Sequence, residues 1–516
     1  MSEEQPTAGS WLGFTTMCVG MFMAILDIQI VAAALPKLSQ ALPAPLDRLS
    51  WIQTAYLITE VIAIALSGRL ARALSTRGVF TLGIGGFALA SLGCALSQSF
   101  LPLVIWRCFQ GFCGGVVIPT AFAACYKIFP KRLQPRAILL AGAVSMLAPS
   151  VGPLVGGYIA EKLSWHWLFL INVPTGIVVG IVVWHLIHID EPDRSAWRTI
   201  DAVALVSLAA SLAFLMILLK LAPPEHWHAP RDFLLIAGTL GAALLFVCRC
   251  VNAHDALIDF SPLRAPSFSA ACVFSFALGL GLYGATYLLP LFLGFVRFHS
   301  PLQIGLIMTV TGVAQLLAAP VATMAGRRYP PIAVTAFGFA LFAAGAFVNS
   351  FMTPRSDFSE LIVPQVLRGA AVLFCLLPTT NIALDAQPSA LLANASALLN
   401  LMRNLGGAIG IGLVDTVVNE RPAAIATQIA SQLSAGNRAI AEFAGLPLQL
   451  VAGQTLATMD PFDIAIVRPI IARAAATIAF NEAWILLGTL LGLSLLALPL
   501  LRQEVRRAVP VEKGSG

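Results

Sequence analysis

Hydrophobic residues lie along this chain in long, nearly uninterrupted runs that short polar segments separate. A helix needs about 20 apolar residues to cross a hydrocarbon core of roughly 30 Å, and fourteen runs reach that length. They cover residues 12–35, 50–70, 79–98, 101–125, 137–160, 167–188, 200–221, 232–251, 268–294, 302–325, 331–351, 360–385, 394–418 and 481–501. The pattern predicts an all-α integral membrane protein with fourteen transmembrane helices.

The composition supports a membrane protein and excludes a soluble one. Of 516 residues, 58% are hydrophobic and only 11% are charged, which is more apolar side chain than soluble domains can bury. The first apolar run, residues 11–35, is too long for the hydrophobic region of a cleavable signal peptide. We expect it to remain as a membrane anchor.

Charge predicts the orientation of the chain. An even number of spans places both termini on one side of the membrane. Lysine and arginine concentrate in the loops that follow even-numbered spans, such as residues 69–77 and 127–136. By the positive-inside rule both termini are cytoplasmic, and the net charge of +6 reflects this orientation rather than nucleic-acid binding.

Polar joints near residues 188–198 and 252–266 divide the fourteen spans into groups of six, two and six. The predicted domains are a cytoplasmic tail at 1–10, a six-helix bundle at 11–190, an inserted two-helix hairpin at 191–260, a second six-helix bundle at 261–501, and a cytoplasmic tail at 502–516. Two similar halves are typical of secondary transporters, which bind substrate and coupling ion between the halves near the membrane midplane. The segment from Arg107 to Thr120 faintly resembles the segment from Arg368 to Thr379.

One outer connection, residues 419–480, is far longer than the others. Long loops host binding surfaces, but they also accept insertions readily. It is therefore either a docking surface for a periplasmic partner or a tolerated insertion.

Ionisable residues inside membrane spans are costly and mark ion or substrate pathways. In this chain they are Asp27, Glu60, Arg107, Arg368, Arg403 and Asp415.

Asp27, Glu60 and Arg107 have compatible depths, at roughly 12, 15 and 9 Å from the outer ends of their helices at 1.5 Å per residue. A carboxyl group that loads and releases a proton in such a site can drive substrate movement the other way, if protonation favours one orientation of the halves. The alternative is a purely structural role, in which a fixed ion pair holds helices together. Asp415 and Glu482 lie near the outer boundary, where we expect interfacial solvation.

The segment Gly152-Pro153-Leu154-Val155-Gly156-Gly157 places a proline and three glycines inside the apolar run 137–160. Membrane helices tolerate such residues, and glycines let a second helix approach closely. The segment is predicted to be a packing seam and a gate.

Other chemistry is weakly represented. His226 and His228 are a poor metal site, because a third ligand is missing. The chain contains no GxxxxGK[ST] motif, which disfavours ATP-driven pumping. We expect a secondary transporter that needs no cofactor or metal and uses the proton gradient, rather than an enzyme.

Five motifs resemble those of the major facilitator superfamily, and in particular its fourteen-helix EmrB/QacA-type drug:proton antiporters. They are Leu26-Asp27 through Pro36; Gly68-Arg69-Leu70-Ala71 through Arg77; Arg107-Cys108-Phe109-Gln110-Gly111; Gly152-Pro153 through Gly157; and Trp165-His166-Trp167-Leu168-Phe169-Leu170-Ile171-Asn172-Val173-Pro174. The resemblance is strongest over residues 24–176. The chain departs from the family at Gln29, Ala32 and Arg72, where the family usually has threonine, asparagine and an acidic residue.

The resemblance implies a major facilitator fold and proton-driven export of hydrophobic or amphipathic compounds across the inner membrane. Its motifs imply proton-coupling or substrate-binding roles for Asp27, Arg107 and Gln110, and Glu60 and Arg403 are expected to share these roles because they are ionisable residues inside spans. It also implies structural or gating roles for Gly68, Arg69, Arg77, Gly111, Gly152, Pro153, Gly156 and Gly157. Relatives in double-membrane bacteria work with a membrane-fusion adaptor and an outer-membrane channel. Two alternatives stay open, an exporter of one endogenous metabolite, lipid or siderophore, and a non-transporting receptor or scaffold.

Overall fold

The protein is described by a computed structural model that covers residues 7–42, 48–221, 229–253, 256–385, 387–388, 391–447, 449 and 459–505. Across these ranges the regular structure is helical. The α-helices are α1 Ala8–Ala41, α2 Trp51–Ala95, α3 Phe100–Ile128, α4 Gln134–Lys162, α5 Trp167–Leu170, α6 Asn172–Leu186, α7 Ala202–Leu221, α8 Pro230–Asn252, α9 Pro266–Leu291, α10 Pro301–Arg328, α11 Pro331–Asn349, α12 Phe358–Asp385, α13 Leu392–Ser434, α14 Arg438–Ala444, α15 Pro461–Ser494 and α16 Leu498–Val505. His226 and His228 lie outside the described residues.

In the described part of the chain, thirteen helical segments are long and apolar enough to cross a membrane. The helix α2 accounts for two of the predicted spans, because its 45 residues contain a break at Ser75, where φ is 69° and ψ is 158°. A positive φ is strained for serine. Here the turn is held by bonds from the Gly78 amide to the Ser75 hydroxyl and from the Thr76 amide to Asp190. The predicted fourteen membrane crossings are thus confirmed.

The helices form two groups that pack side by side. In the first half α1 packs on α4 and α6, and α2 packs on α3 and α6; in the second half α9 packs on α13, α10 on α12, and α11 on α12 and α15. Between the halves, α4 lies against α10, α2 against α13 and α1 against α9. In the hairpin formed by α7 and α8, the helix α7 packs on both α2 and α13. We call the end of the bundle that holds Ala41 and Trp51 the outer end, and the opposite one the inner end.

The helix α13 has 43 residues, so it is about 65 Å long at 1.5 Å per residue, twice the thickness of a hydrocarbon core. Residues 419–434 of α13, all of α14 and residues 461–480 of α15 form a separate packed unit, here called the outer extension. Its small apolar core includes Ile425, Ile429, Leu433, Val467 and Ile471. The long outer connection is therefore largely a folded helical projection.

Candidate functional site

The first buried polar cluster surrounds Asp27 in the middle of α1. The Arg107 guanidinium donates a hydrogen bond from Nη1 to Asp27 Oδ2. The amides of Gln110 and Asn172 each donate to Asp27 Oδ1 over 2.9 Å. Asp27 and Arg107 are both fully shielded from solvent. The structure thus brings Asp27, Arg107 and Gln110 together, and it adds Asn172, a member of the 165–174 motif to which the sequence assigned no role.

Arg107 is held from several sides. Its Nε donates to the Ile52 carbonyl over 3.0 Å, its Nη1 donates to Gln110 Oε1 over 2.7 Å, and its Cζ lies 4.4 Å from the centre of the Tyr56 ring. Gln110 in turn donates to the Ser91 hydroxyl over 2.8 Å. The cluster draws on α1, α2, α3 and α6. It is therefore a rigid polar centre inside the first half.

Close packing of α3 on α2 brings Arg107 to this position. A side chain at Gly111 would overlap the backbone of Tyr56, and one at Gly115 would come within 2.5 Å of the Glu60 carbonyl oxygen. The absence of a side chain at Gly111 therefore allows α3 to approach α2 closely.

Glu60 belongs to a different site. It is buried on α2 and points to the second half, where Arg403 and Asn404 of α13 are its charged and polar neighbours. Asn404 Oδ1 accepts a hydrogen bond from the Tyr283 hydroxyl over 3.3 Å, while Glu60 Oε2 has no hydrogen-bond partner. Of the three charges with similar depth, Arg107 bonds to Asp27, and Glu60 faces α13 across the boundary between the halves.

The glycine-proline segment in α4 contacts two different neighbours. Side chains at Gly152 and Gly156 would meet α1, at 2.5 Å from Gln29 Cβ and 2.6 Å from the Ile30 carbonyl oxygen. A side chain at Gly157 would instead overlap the Pro301 carbonyl group of α10, and the Pro153 carbonyl group faces Gly305. The seam therefore lies within the first half on one face of α4 and between the halves on the other.

At the inner end, the loop motif 68–77 is bonded to the segments that flank the inserted hairpin. Arg69 donates to the carbonyl oxygens of Thr199 over 2.9 Å and Ala256 over 2.5 Å. The Cζ atom of Arg77 lies 4.5 Å from the centre of the Trp184 ring. A Cβ atom added at Gly68 would meet no neighbour within 4 Å among the described residues outside its own helix turn.

Asp190, which lies outside the loop motif, supplies a carboxylate to it. Its carboxylate accepts hydrogen bonds from the Thr76 amide, the Thr76 hydroxyl and the Lys127 ammonium group at 2.8, 2.7 and 2.7 Å. Partial burial raises the pKa of Asp190, but these bonds outweigh that effect and lower it overall. The loop therefore keeps a charged anchor, supplied by a residue more than 100 positions away.

Asp415 occupies a third polar cluster, at the outer end. The expectation of interfacial solvation is wrong, because only 2% of the Asp415 side chain is exposed. Its carboxylate pairs with Lys220 of α7 and accepts hydrogen bonds from the Tyr287 hydroxyl and, over 3.1 Å, from the Ser50 hydroxyl. The cluster joins both halves to the inserted hairpin. Glu482 is partly exposed and bonds to Arg421 with two contacts of 2.7 and 2.9 Å.

Asp357 forms a smaller anchor outside the membrane spans, before α12. Arg297 donates to it over 2.8 Å and His299 lies 3.0 Å away. Burial opposes ionisation of Asp357, but the bonds from Arg297 and His299 dominate and lower its pKa to about 2.

The contacts between the halves close the outer end, while the inner end holds a cavity of about 940 Å³. Its walls come from α2, α3, α13 and the segments beside the hairpin, and its rim carries Arg69, Arg72 and Arg264. Drug-sized ligands occupy cavities of about 300–1,000 Å³. Access from the inner end is therefore large enough for such a molecule. Within the described residues, no group of His, Cys, Asp or Glu side chains could hold a metal ion.

Known proteins similar to this chain are membrane transporters. The Major Facilitator Superfamily profile matches residues 17–411. The colistin resistance protein EmrB of Acinetobacter baumannii is 34% identical over 84% of this chain and 85% of its own length. The multidrug export protein EmrB of Escherichia coli K12 is 28% identical over 82% and 83%, and the fatty acid resistance protein FarB of Neisseria gonorrhoeae is 26% identical over 89% and 91%.

Solved structures show the same fold at low sequence identity. A POT family transporter in complex with 5-aminolevulinic acid matches with a TM-score of 0.62 and 15% identity, over 94% of this chain and 95% of its own. A bacterial homologue of the human lysosomal transporter Spinster, in an inward-facing and unoccupied conformation, matches with a TM-score of 0.60 and 13% identity, over 96% and 98%.

Proposed function

The chain belongs to the Major Facilitator Superfamily, and we propose that it exports hydrophobic and amphipathic drug-like compounds across the inner membrane in exchange for protons. Relatives named for multidrug export, colistin resistance and fatty acid resistance support a broad range of amphipathic substrates. The basic loops at the inner end support a cytoplasmic position for that end and for both termini.

Proton coupling is proposed chiefly from the position of Glu60. Its neighbours Arg403 and Asn404 belong to the other half, so rocking of the halves changes the charge and the polar group that face it. The free energy of proton binding at a buried carboxyl group depends on these surroundings. Proton binding at Glu60 then differs between the two orientations, and by linkage protonation shifts the balance between them.

Asp27 has a different proposed role. All its described partners lie within the first half, so its surroundings move with it as one rigid body. Release of its carboxylate from Arg107 would require a local change in α1 or α3. We therefore assign Asp27, Arg107 and Gln110 to a polar centre that binds a proton or a cationic group, while Glu60 couples that event to the motion of the halves.

The test is dye uptake by inverted membrane vesicles with an acidic lumen. We expect the pH gradient to drive uptake, and nigericin in potassium buffer to abolish it. Glu60→Gln should lose gradient-driven uptake but keep dye-for-dye exchange, because exchange needs substrate binding and motion without a net proton flux. Asp27→Asn should lose gradient-driven uptake while its amount in the membrane stays normal. Wild-type uptake that survives collapse of the gradient, or full gradient-driven uptake by Glu60→Gln, would refute proton coupling through this residue.

For the outer extension we propose docking of a periplasmic membrane-fusion adaptor, which would deliver substrate to an outer-membrane channel. The extension projects about 24 Å beyond residue 419, as 16 residues of α13 at 1.5 Å each. It also presents apolar side chains to solvent, with Phe462 72% and Ile466 46% exposed. Exposed apolar residues that cluster on one helix mark interaction surfaces.

Site-specific photo-crosslinking tests this assignment. A photo-reactive amino acid at Phe462 should crosslink to the co-expressed adaptor, whereas the same group at the exposed inner residue Tyr329 should not. Phe462→Asp should lower whole-cell resistance and leave uptake by inverted vesicles unchanged, since vesicle transport needs no adaptor. Equal crosslinking at both positions would count against docking on the extension.

A further inference from the structure

Arg368 on α12 is a buried guanidinium group without a counter-ion. Only 3% of the residue is exposed. Its Nε donates a 3.3 Å bond to the Pro364 carbonyl, its Cζ lies 4.4 Å from the Trp484 ring, and its Nη2 has no hydrogen-bond partner. Across the described residues no carboxylate pairs with it, in contrast to Arg107 in the corresponding helix of the first half.

Two further donors beside Arg368 are also unsatisfied. Gln365, one helical turn earlier, accepts a 3.0 Å bond from the Thr311 hydroxyl through Oε1, and its Nε2 has no partner. The Arg368 guanidinium lies over the Trp484 ring, and the indole Nε1 of Trp484 has no hydrogen-bond partner either. All three unsatisfied groups are donors, and no side chain supplies the acceptor. Buried polar groups are normally hydrogen-bonded, so each of these three orphan donors requires an explanation.

Arg368 lines a cavity of about 50 Å³ that lies between the two halves. Polar side chains reach it from both halves, including Gln29 of α1 and Gln315 of α10, and the wall from α4 is formed by Pro149 and Pro153. The volume corresponds to one or two water molecules at about 30 Å³ each. It fits the charged end of an amphipathic molecule. The other wall residues are mainly apolar, such as Leu289 and Met308, which suits the beginning of a hydrocarbon tail.

We propose that Arg368 binds the carboxylate or sulfonate group of amphipathic anions on their way through the transporter. A buried charge without a partner is strongly unfavourable, and a bound anion removes that penalty while it accepts a hydrogen bond from the guanidinium group. This inference rests on the proposed export function and defines one of its substrate classes. The Asp27 and Glu60 carboxylates serve cationic or protonated groups, so the two halves bind opposite charges.

The test compares two detergents of equal tail length, dodecanoate and dodecyltrimethylammonium, as substrates of the purified protein in proteoliposomes. For Arg368→Gln we expect the KM for dodecanoate to rise about 10- to 100-fold relative to that for the cation, the range for loss of a charged hydrogen bond. Arg368→Lys should keep part of the dodecanoate affinity, and Arg438→Gln, a change at an arginine whose side chain is 83% exposed, should alter neither KM.

Gln365→Glu is the sharper variant, because it places a carboxylate one turn from Arg368. It should raise thermal stability and abolish dodecanoate transport, since the internal carboxylate replaces the substrate. A purely structural Arg368 predicts higher stability with unchanged dodecanoate transport, and that result would overturn the proposal. Equal KM changes for both detergents in Arg368→Gln would also overturn the proposal. So would inhibition of dodecanoate transport by millimolar chloride but not by gluconate, because it would identify an inorganic anion as the occupant.

Failure of the export function gives a different result. Wild-type protein that moves neither detergent would contradict the function itself, whereas transport of the cation without the anion would contradict only the Arg368 site.

Discussion

Replacing Gly157 by alanine tests whether the contact of α4 with α10 holds the outer end closed. A methyl group there would overlap the Pro301 carbonyl and lie 3.0 Å from Leu302 Cα. Both are backbone atoms, which cannot rotate away, and overpacking of this kind costs about 1–3 kcal/mol. The gain in helix propensity over glycine, about 1 kcal/mol, applies to both orientations and cancels. The closed arrangement should therefore lose about 5- to 150-fold in population relative to the open one.

Double electron–electron resonance measures this shift directly. Spin labels at the exposed residues Gln40 and Phe351 report the distance between the outer ends of the two halves. The labelled protein lacks Cys108, Cys113 and Cys248, the cysteines that are not buried. Gly157→Ala should increase the fraction of long distances.

The matched control is Gly156→Ala. Its methyl group would meet the Ile30 carbonyl of α1 at 2.6 Å, a contact inside the first half that persists in both orientations. It should change thermal stability without changing the distance distribution. Identical distributions for Gly157→Ala and wild type, or equal shifts in both variants, would refute the assignment of two functions to the two faces of α4.

Three further predictions concern the charged clusters. Arg107→Gln leaves Asp27 buried without its cation and should lower the free energy of unfolding by about 3–5 kcal/mol, seen as a lower thermal unfolding temperature in detergent. Asp27→Asn in the same chain should restore part of that stability, and no restoration would contradict the pairing. Asp415→Asn should open the outer end, which would appear as longer distances between the same two spin labels. Lys220→Met in the same chain should reverse part of this change, whereas unchanged distances in Asp415→Asn would contradict a closing role for the cluster. The pKa of Asp357 is lowered from 3.8 to about 2, so its stabilisation is fully present above pH 3.8 and is lost as the pH falls through 2. The protection of the amides that follow it, taken relative to their intrinsic exchange rates at each pH, should fall over that range, and Asp357→Asn should abolish this change in protection.

Much of the fold followed from local properties of the sequence. The fourteen crossings were predictable because apolar length alone decides whether a helix can span a bilayer. Two predicted spans meet at the sharp break at Ser75, and no apolar signal marks its position. The outer extension was predicted as an unusually long connection with helical stretches such as residues 422–433, but its packing was not predicted, since its core joins residues such as Ile429 and Ile471 from segments that are distant in the chain.

The polar sites were harder to predict than the spans. The depths grouped Asp27, Glu60 and Arg107 without showing which carboxylate pairs with Arg107, and they gave no sign that Glu60 faces Asn404 of the other half. Asp415 was misplaced because its depth was judged from one span alone. The helix α13 continues far past that boundary, and Lys220 and Tyr287 cover the carboxylate from other elements.

The pairing of Lys220 with Asp415 also sets an order of events during biosynthesis. The two residues are 195 positions apart, and at 5–20 residues per second the ribosome needs roughly 10–40 s to make the intervening chain. Throughout that interval α7 is in the membrane, and the carboxylate that will fix its outer end does not yet exist. The inserted hairpin, although it is made midway along the chain, can therefore reach its final place only after most of the second half has been synthesised.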